Sequence, residues 1–259
     1  MMNRKIALFN LEIDNVTRKE AVTLVDRLAG ETDTSSRHYV VTPNVDHVVM
    51  LQRNREFSDI YAGASAVFPD GMPIIWASRL LGVPLKERVT GADLLPDVCS
   101  LSSSKGYRLF FLGGRPGVAR AAGERLCNRY PPLRLVGTYS PPFGFEHDRK
   151  ENNKIITMIN SKRPDILFVG LGCPKQEKWI HNNIGKLGIN VALCTGAAFD
   201  FVAGSMKRAP EWVQKMGLEW FHRLLSEPGR LWKRYLVDDT AFLKMVMREY
   251  FEKRKRNSD

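Results

Sequence analysis

Asp70 lies in Phe68-Pro-Asp-Gly-Met-Pro73, after the strand-like Ala66–Phe68 and just before a helix that Pro73 opens. A carboxylate at the edge of a cleft can act as a general base, and an Asp at this point can equally serve a turn or cap a helix. Arg88, in Lys86-Glu-Arg-Val-Thr-Gly-Ala-Asp93, stands in a polar loop before a helix. Its guanidinium can grip a phosphate through two parallel N–H donors, or pair with Glu87 or Asp93 at the surface. Gly113-Gly-Arg-Pro-Gly117 leads from an apolar strand into a helix. That arrangement can aim backbone N–H groups and a helix N-terminus at a diphosphate, although tight strand–helix packing calls for the same glycines. Gln176 sits just inside the helix that Pro174 opens, where its amide can meet a sugar or phosphate, or simply water.

Several chemistries are excluded by missing residues. The glycine loop is not G-x-G-x-x-G, and the following strand, Leu133–Val136, has no acidic residue to hold a ribose; this argues against a nicotinamide-type oxidoreductase. No Gly-Lys-Ser/Thr follows the loop, so it is not a Walker loop. No Asp-x-Asp occurs, so a carboxylate-held divalent ion is not indicated. A departing diphosphate would then be met by Arg, Lys and helix N-termini. The four cysteines form no C-x-x-C pair and the five histidines lack ligand spacing, so neither a disulfide framework nor a zinc site is expected. The sequence-based expectation is a protein of the reducing cytoplasm without metal or cofactor.

These residues need a scaffold, and the pattern supplies one. Thr17-Arg-Lys-Glu20 reads as a capping box ahead of a helix through Leu28. Short apolar strands are predicted at Tyr39–Val41, Ala66–Phe68, Tyr107–Leu112, Leu133–Val136, Ile166–Val169 and Val191–Cys194. Helices are predicted between them, including Ile74–Leu81, Val118–Cys127, Asn153–Asn160 and Pro174 to about Leu187. Strands alternating with helices predict an α/β fold, a Rossmann-like parallel sheet with helices on both faces. In such sheets ligands bind at the carboxyl ends of the strands. Five strand ends carry polar or Gly-rich residues: Thr42-Pro-Asn44, Pro69-Asp-Gly71, Gly113–Gly117, Gly170–Glu177 and Thr195–Asp200. Together they point to one shared cleft.

The 259 residues carry 39 Lys/Arg against 28 Asp/Glu, a net charge of +11 that suits an anionic partner. The positive density rises near Gly204, which divides a catalytic region, 1–203, from a basic, aromatic-rich helical appendage, 204–259. In the appendage Trp212, Met216, Trp220 and Leu224 repeat at i, i+4, and Pro228-Gly229 separates this helix from a second, Leu231–Phe251. The pattern fits a helical hairpin packed on the domain or an interfacial membrane helix. Nucleic-acid binding ranks lower because no nucleic-acid motif accompanies the charge. No run is long enough to span a membrane, and Ile6–Phe9 is too short for a signal peptide. The expected location is therefore cytoplasmic and peripheral.

Taken in order, Val41-Thr-Pro-Asn44, Phe68-Pro-Asp-Gly71, Arg88-Val-Thr-Gly-Ala-Asp93, Phe111-Leu-Gly-Gly114, Gly172-Cys-Pro-Lys-Gln-Glu177, Thr195–Gly204, Lys207-Arg-Ala-Pro210 and Gly217-Leu-Glu-Trp220 with Arg223-Leu-Leu resemble the WecG/TagA/CpsF glycosyltransferases from about Val40 to Tyr235. The resemblance implies transfer of a sugar from a UDP-sugar to a polyprenyl-diphosphate-linked saccharide at the inner face of the plasma membrane, in teichoic-acid or other surface-polysaccharide synthesis. N-acetylmannosamine is the donor type it first suggests; glucose and N-acetylmannosaminuronic acid are alternatives. It implies that Asp70 is the general base and Arg88 a catalytic cation. Thr42, Asn44, Gln176 and Asp200 become pocket residues, with Gly113 and Gly114 in the phosphate loop. Arg223 and Arg230 become appendage cations for the diphosphate. Lys233 beside Arg234 stands where a further Arg is often found. The partners it implies are these two substrates and the membrane surface, not nucleic acid, and it implies no metal.

Overall fold

The computed structural model describes residues 5–31, 36–210, 213, 219, 229 and 239–256. Arg223, Arg230, Lys233, Arg234 and the three appendage tryptophans, Trp212, Trp220 and Trp232, lie outside the described residues.

Six short strands build one fully parallel sheet: β3 (His38–Val41), β4 (Ala66–Val67), β5 (Arg108–Gly113), β6 (Arg134–Tyr139), β7 (Ile166–Gly170) and β8 (Val191–Cys194). Their order across the sheet is β4-β3-β8-β7-β5-β6. Alternate side chains face opposite ways, and each face has its own core. Tyr39, Val41, Phe110, Leu112, Leu167, Val169 and Ala192 point to one; Val40, Leu109, Phe111, Ile166, Phe168 and Leu193 point to the other. A strand buried on both faces must be apolar at nearly every position, which is why β7 and β8 read as hydrophobic runs, whereas the edge strand β6 is only partly buried.

Helices cover both faces, as the alternation predicts. The first face takes α2 (Val45–Arg53), α3 (Arg55–Ala62), α4 (Met72–Leu80), α7 (Arg149–Lys162) and α8 (Lys175–Asn183). The second takes α1 (Arg18–Ala29), α5 (Gly91–Lys105), α6 (Val118–Arg129) and α9 (Ala198–Ala203). The capping box before α1 forms as read: the Glu20 amide donates to Thr17 Oγ1 at 3.2 Å and the Thr17 amide to the Glu20 carboxylate at 2.7 Å.

One feature escaped the sequence reading. An antiparallel hairpin, β1 (Lys5–Leu8) and β2 (Leu11–Asp14), turns on Phe9 and Asn10, both with positive φ. Buried Asp14 ties it to the sheet by accepting from the Val67 amide at 2.8 Å. The last helix, α10 (Asp239–Arg256), packs against α2 and the hairpin rather than standing apart. Its Phe242 and Val246 belong to the first core, and the Phe242 ring meets Phe9 edge-on at 5.1 Å.

The sheet closes tightly where its strands end. Gly113 has φ +122°, and a Cβ there would stand 2.3 Å from the Gly170 carbonyl oxygen of the neighbouring strand. Gly113→Ala combines a backbone conformation that side chains disfavour with a backbone clash. It is expected to cost about 3 kcal/mol and to lower Tm by roughly 6–12 °C in calorimetry of this size of protein.

Candidate active site

A cleft of about 1010 Å³ opens at the carboxyl ends of the strands. Its wall includes residues that follow all six, the position a doubly wound sheet offers to ligands. The sixth end, Pro141-Pro-Phe143 after β6, carried no polar signal in the sequence. Phe143 is fully exposed at the rim, with the Lys175 ammonium 5.1 Å from its ring centroid.

Asp70 is set by its backbone. Its amide donates to the Pro43 carbonyl at 2.8 Å, and the Val89 amide donates to the Pro69 carbonyl at 2.9 Å. The Asp70 loop is thereby stitched between the loop after β3 and the Arg88 loop. Gly71, at φ +121°, turns the chain into α4 and occupies the cap position with no side-chain hydrogen bond. Asp70 is thus not the helix cap that the sequence left open. Among the described residues, no hydrogen bond or ion pair holds its carboxyl group. Burial pushes that carboxyl up to about 7, and Glu219 and Asp93 add to the rise, while Arg88 and His47 oppose it.

Arg88 lines the same cleft. It donates from Nη1 to Glu219 at 2.8 Å and lies 4.0 Å from Asp93. Arg208 joins these two acids, donating to Asp93 at 2.7 Å and to Glu219 at 3.3 Å. Asp93 also accepts from Thr90 Oγ1 at 2.8 Å. Burial would raise the Asp93 carboxyl, but the Arg208 guanidinium outweighs it and holds it below the usual range. Arg208 and Glu219 stand in motifs the sequence reading noted without giving either a role; what marks them is their charge beside Asp93 and Arg88.

The remaining candidates are brought together at the strand ends, most of them already holding protein partners. Thr42 Oγ1 donates to the Cys194 carbonyl at 3.2 Å. Asn44 caps α2, its Oδ1 accepting from the Asp46 and His47 amides at 3.1 and 3.4 Å. Gln176 is buried rather than solvated. Its Oε1 accepts from the Gly196 amide at 3.1 Å and its Nε2 donates to Glu177 at 2.7 Å, so it ties the loops after β7 and β8. Asp200, in the first turn of α9, faces the cleft, accepts from Ser205 Oγ at 2.9 Å and stands 3.6 Å from Arg115. Gly114 lines the cleft, but its amide donates to the Gly170 carbonyl at 2.8 Å. Gly113 is buried behind it and serves the packing described above.

His47, Cys173 and Glu177 form a cluster that no single stretch of sequence indicates. His47 and Cys173 border the cleft, and His47 Nε2 stands 3.5 Å from Glu177 Oε1. Burial would depress the His47 imidazolium, but Cys173 and Glu177 beside it prevail and raise it.

Comparison with known proteins agrees with this geometry. Residues 6–256 match the family described as "Glycosyl transferase WecG/TagA/CpsF family". The chain is 33% identical over 197 residues to an N-acetylglucosaminyldiphosphoundecaprenol N-acetyl-beta-D-mannosaminyltransferase of Bacillus subtilis (strain 168), covering 76% of this chain and 74% of the relative. It is 32% identical over 204 residues to the enzyme of the same name from Bacillus spizizenii, covering 79% and 77%. A Staphylococcus aureus (strain MW2) enzyme, also of that name, is 27% identical over 230 residues, covering 89% and 86%. A parallel sheet whose strand ends gather Asp70, Gln176 and Asp200 in one cleft with Arg88, matched over residues 6–256 by this family, places the chain among the WecG/TagA/CpsF glycosyltransferases.

Proposed function

We propose that the protein transfers N-acetylmannosamine from a UDP-sugar to N-acetylglucosaminyl-diphosphoundecaprenol, the acceptor in its relatives' names. One observation carries the mechanism: Asp70 is an otherwise unheld carboxyl, raised to about 7, in the same cleft as Arg88. A base with that affinity for protons is half ionised near neutrality, where general-base catalysis is most effective. Asp70 takes the proton from the acceptor hydroxyl as its oxygen attacks the anomeric carbon. The bond from that carbon to the UDP oxygen breaks on the opposite face, so the configuration inverts.

The leaving diphosphate carries its charge to Arg88 and to the turn that opens α6. For Arg88 to reach it, the phosphate must replace Glu219 as the guanidinium's partner. Arg223 and Arg230 are proposed to add further cations. A carboxylate-held cation at the diphosphate has no part in this scheme, in keeping with the lack of Asp-x-Asp.

A peripheral membrane location suits a polyprenyl acceptor. No described helix is long and apolar enough to cross a membrane. On α10, Leu243, Met247 and Phe251 are exposed at i, i+4 spacing, with Lys244, Arg248 and Lys255 on the same helix. Apolar residues beside basic ones on an amphipathic helix are the elements of interfacial binding.

Turnover should rise with pH through about 7 as Asp70 loses its proton, because only the carboxylate can accept one. In a radiolabel or mass-based transfer assay, Asp70→Asn is expected to remove that rising limb and lower kcat roughly 10²–10⁴-fold, with UDP affinity retained. Near-normal turnover in the variant would take the role from Asp70. For the membrane, the Leu243→Ser/Phe251→Ser double variant should co-sediment with phosphatidylglycerol vesicles at least about 10-fold less than wild type, each residue losing an apolar burial of about 1.5–3 kcal/mol. Equal sedimentation would assign membrane contact elsewhere.

A further inference from the structure

Beside the cleft, three side chains of metal-ligand type converge from two elements. His47 lies in the first turn of α2, Cys173 just before α8 and Glu177 inside it. Their ligand atoms all lie within 4.8 Å of one another. In a tetrahedral zinc site with bonds of about 2.0–2.3 Å, ligand atoms stand about 3.3–3.8 Å apart. His47 Nε2 stands 3.5 Å from Glu177 Oε1, the carboxylate oxygen beside the proposed ligand Oε2, so imidazole and carboxylate already approach within that range. Cys173 is exposed and can close on the other two.

A second observation points to a ligand. His47 is 6% exposed and Glu177 1%, yet His47 Nε2 and Glu177 Oε2 have no hydrogen-bond partner in the protein. Native interiors rarely leave such atoms unsatisfied. The groups behind them are arranged as around a metal. His47 Nδ1 lies 2.6 Å from Asn44 Oδ1 and 3.2 Å from the Asn44 amide nitrogen, so the cap of α2 holds the ring on that side while Nε2 faces Glu177. Gln176 holds Glu177 Oε1, which leaves Oε2 to coordinate. An outer shell of this kind orients metal-bound histidines and carboxylates.

We propose that His47 Nε2, Cys173 Sγ and Glu177 Oε2 bind one thiophilic divalent cation of the zinc type, with a fourth position facing the cleft. Nitrogen, sulfur and oxygen donors in this number suit zinc and not magnesium. Coordination releases the Cys173 thiol proton to solvent. The ion would fix the start of α2 to the start of α8 whichever sugar the enzyme transfers. It departs from the sequence-based expectation of no metal, because its ligands are brought together by folding across β3 and β7 rather than by local spacing.

The test is cobalt titration of the tag-free, full-length, EDTA-treated protein. Wild type should develop a thiolate-to-cobalt charge-transfer band and tetrahedral ligand-field bands that saturate at one equivalent. Zinc should bleach both. Cys173→Ser, at an exposed position where folding is not at stake, should lose the charge-transfer band. Asn44→Ala should weaken zinc binding roughly 10–100-fold, by removing the His47 support. Absence of the band in folded wild-type protein, as expected of a plain His47–Glu177 ion pair, overturns the proposal. Persistence of the band in Cys173→Ser, which would trace it to another thiol, overturns it as well.

Discussion

Everything in the cleft depends on how charge is balanced around Arg88. Two guanidiniums, Arg88 and Arg208, share two acids, Asp93 and Glu219, in a largely buried group. Taking such charges out of water costs several kcal/mol per ion unless each finds good partners. The network meets most of that demand, with Arg208 Nη2 left without a hydrogen-bond partner, and it leaves Asp70, which has no direct partner in it, exposed to its field. Burial raises the Asp70 carboxyl most; within the network Arg88 lowers it while Glu219 and Asp93 raise it further. An anion that drew Arg88 away from Glu219 would therefore change the field at Asp70 as well.

The same network joins distant parts of the chain. Arg208 and Glu219 lie after the last sheet strand, whereas Arg88 and Asp93 precede the middle of it. Arg18 extends the group from the start of α1, donating to Asp97 at 2.7 Å. The α/β body and the segment following α9 are thus held together through ionic contacts at the cleft, not only through apolar packing. Within the body, the start of α5 lies close to the loop after β8: a Cβ at Gly91 would come within 2.7 Å of Thr195 Cα.

Much of this architecture was legible because parallel strands buried on both faces cannot hide their hydrophobicity. Tyr39–Val41, Ile166–Val169 and Val191–Cys194 stand out for that reason, and the loops after them located most of the cleft. Asp70 was noticed because it follows a strand end and Arg88 because it stands in a polar loop before a helix, positions that also suit a turn residue and a surface ion pair. The hairpin was not legible: its strands are four residues each and its turn, Phe9-Asn10, lacks the Asn-Gly or Asp-Gly signature of tight hairpins. Gly113 and Gly114 look alike in sequence, yet one packs against Gly170 and the other borders the cleft. That difference is set by neighbouring strands and not by local composition. His47, Glu219 and Arg208 were obscure because each matters through a partner far away in the chain.

The meeting of Phe9 with Phe242 bears on how the protein is made. Contacts this far apart in the chain demand a large loop closure and form late. On the ribosome the hairpin emerges long before α10 and must wait, its aromatic surface uncovered, until that helix leaves the exit tunnel. Synthesis halted before that helix would yield a particle with a bare greasy flank, a natural target for chaperones and quality-control proteases.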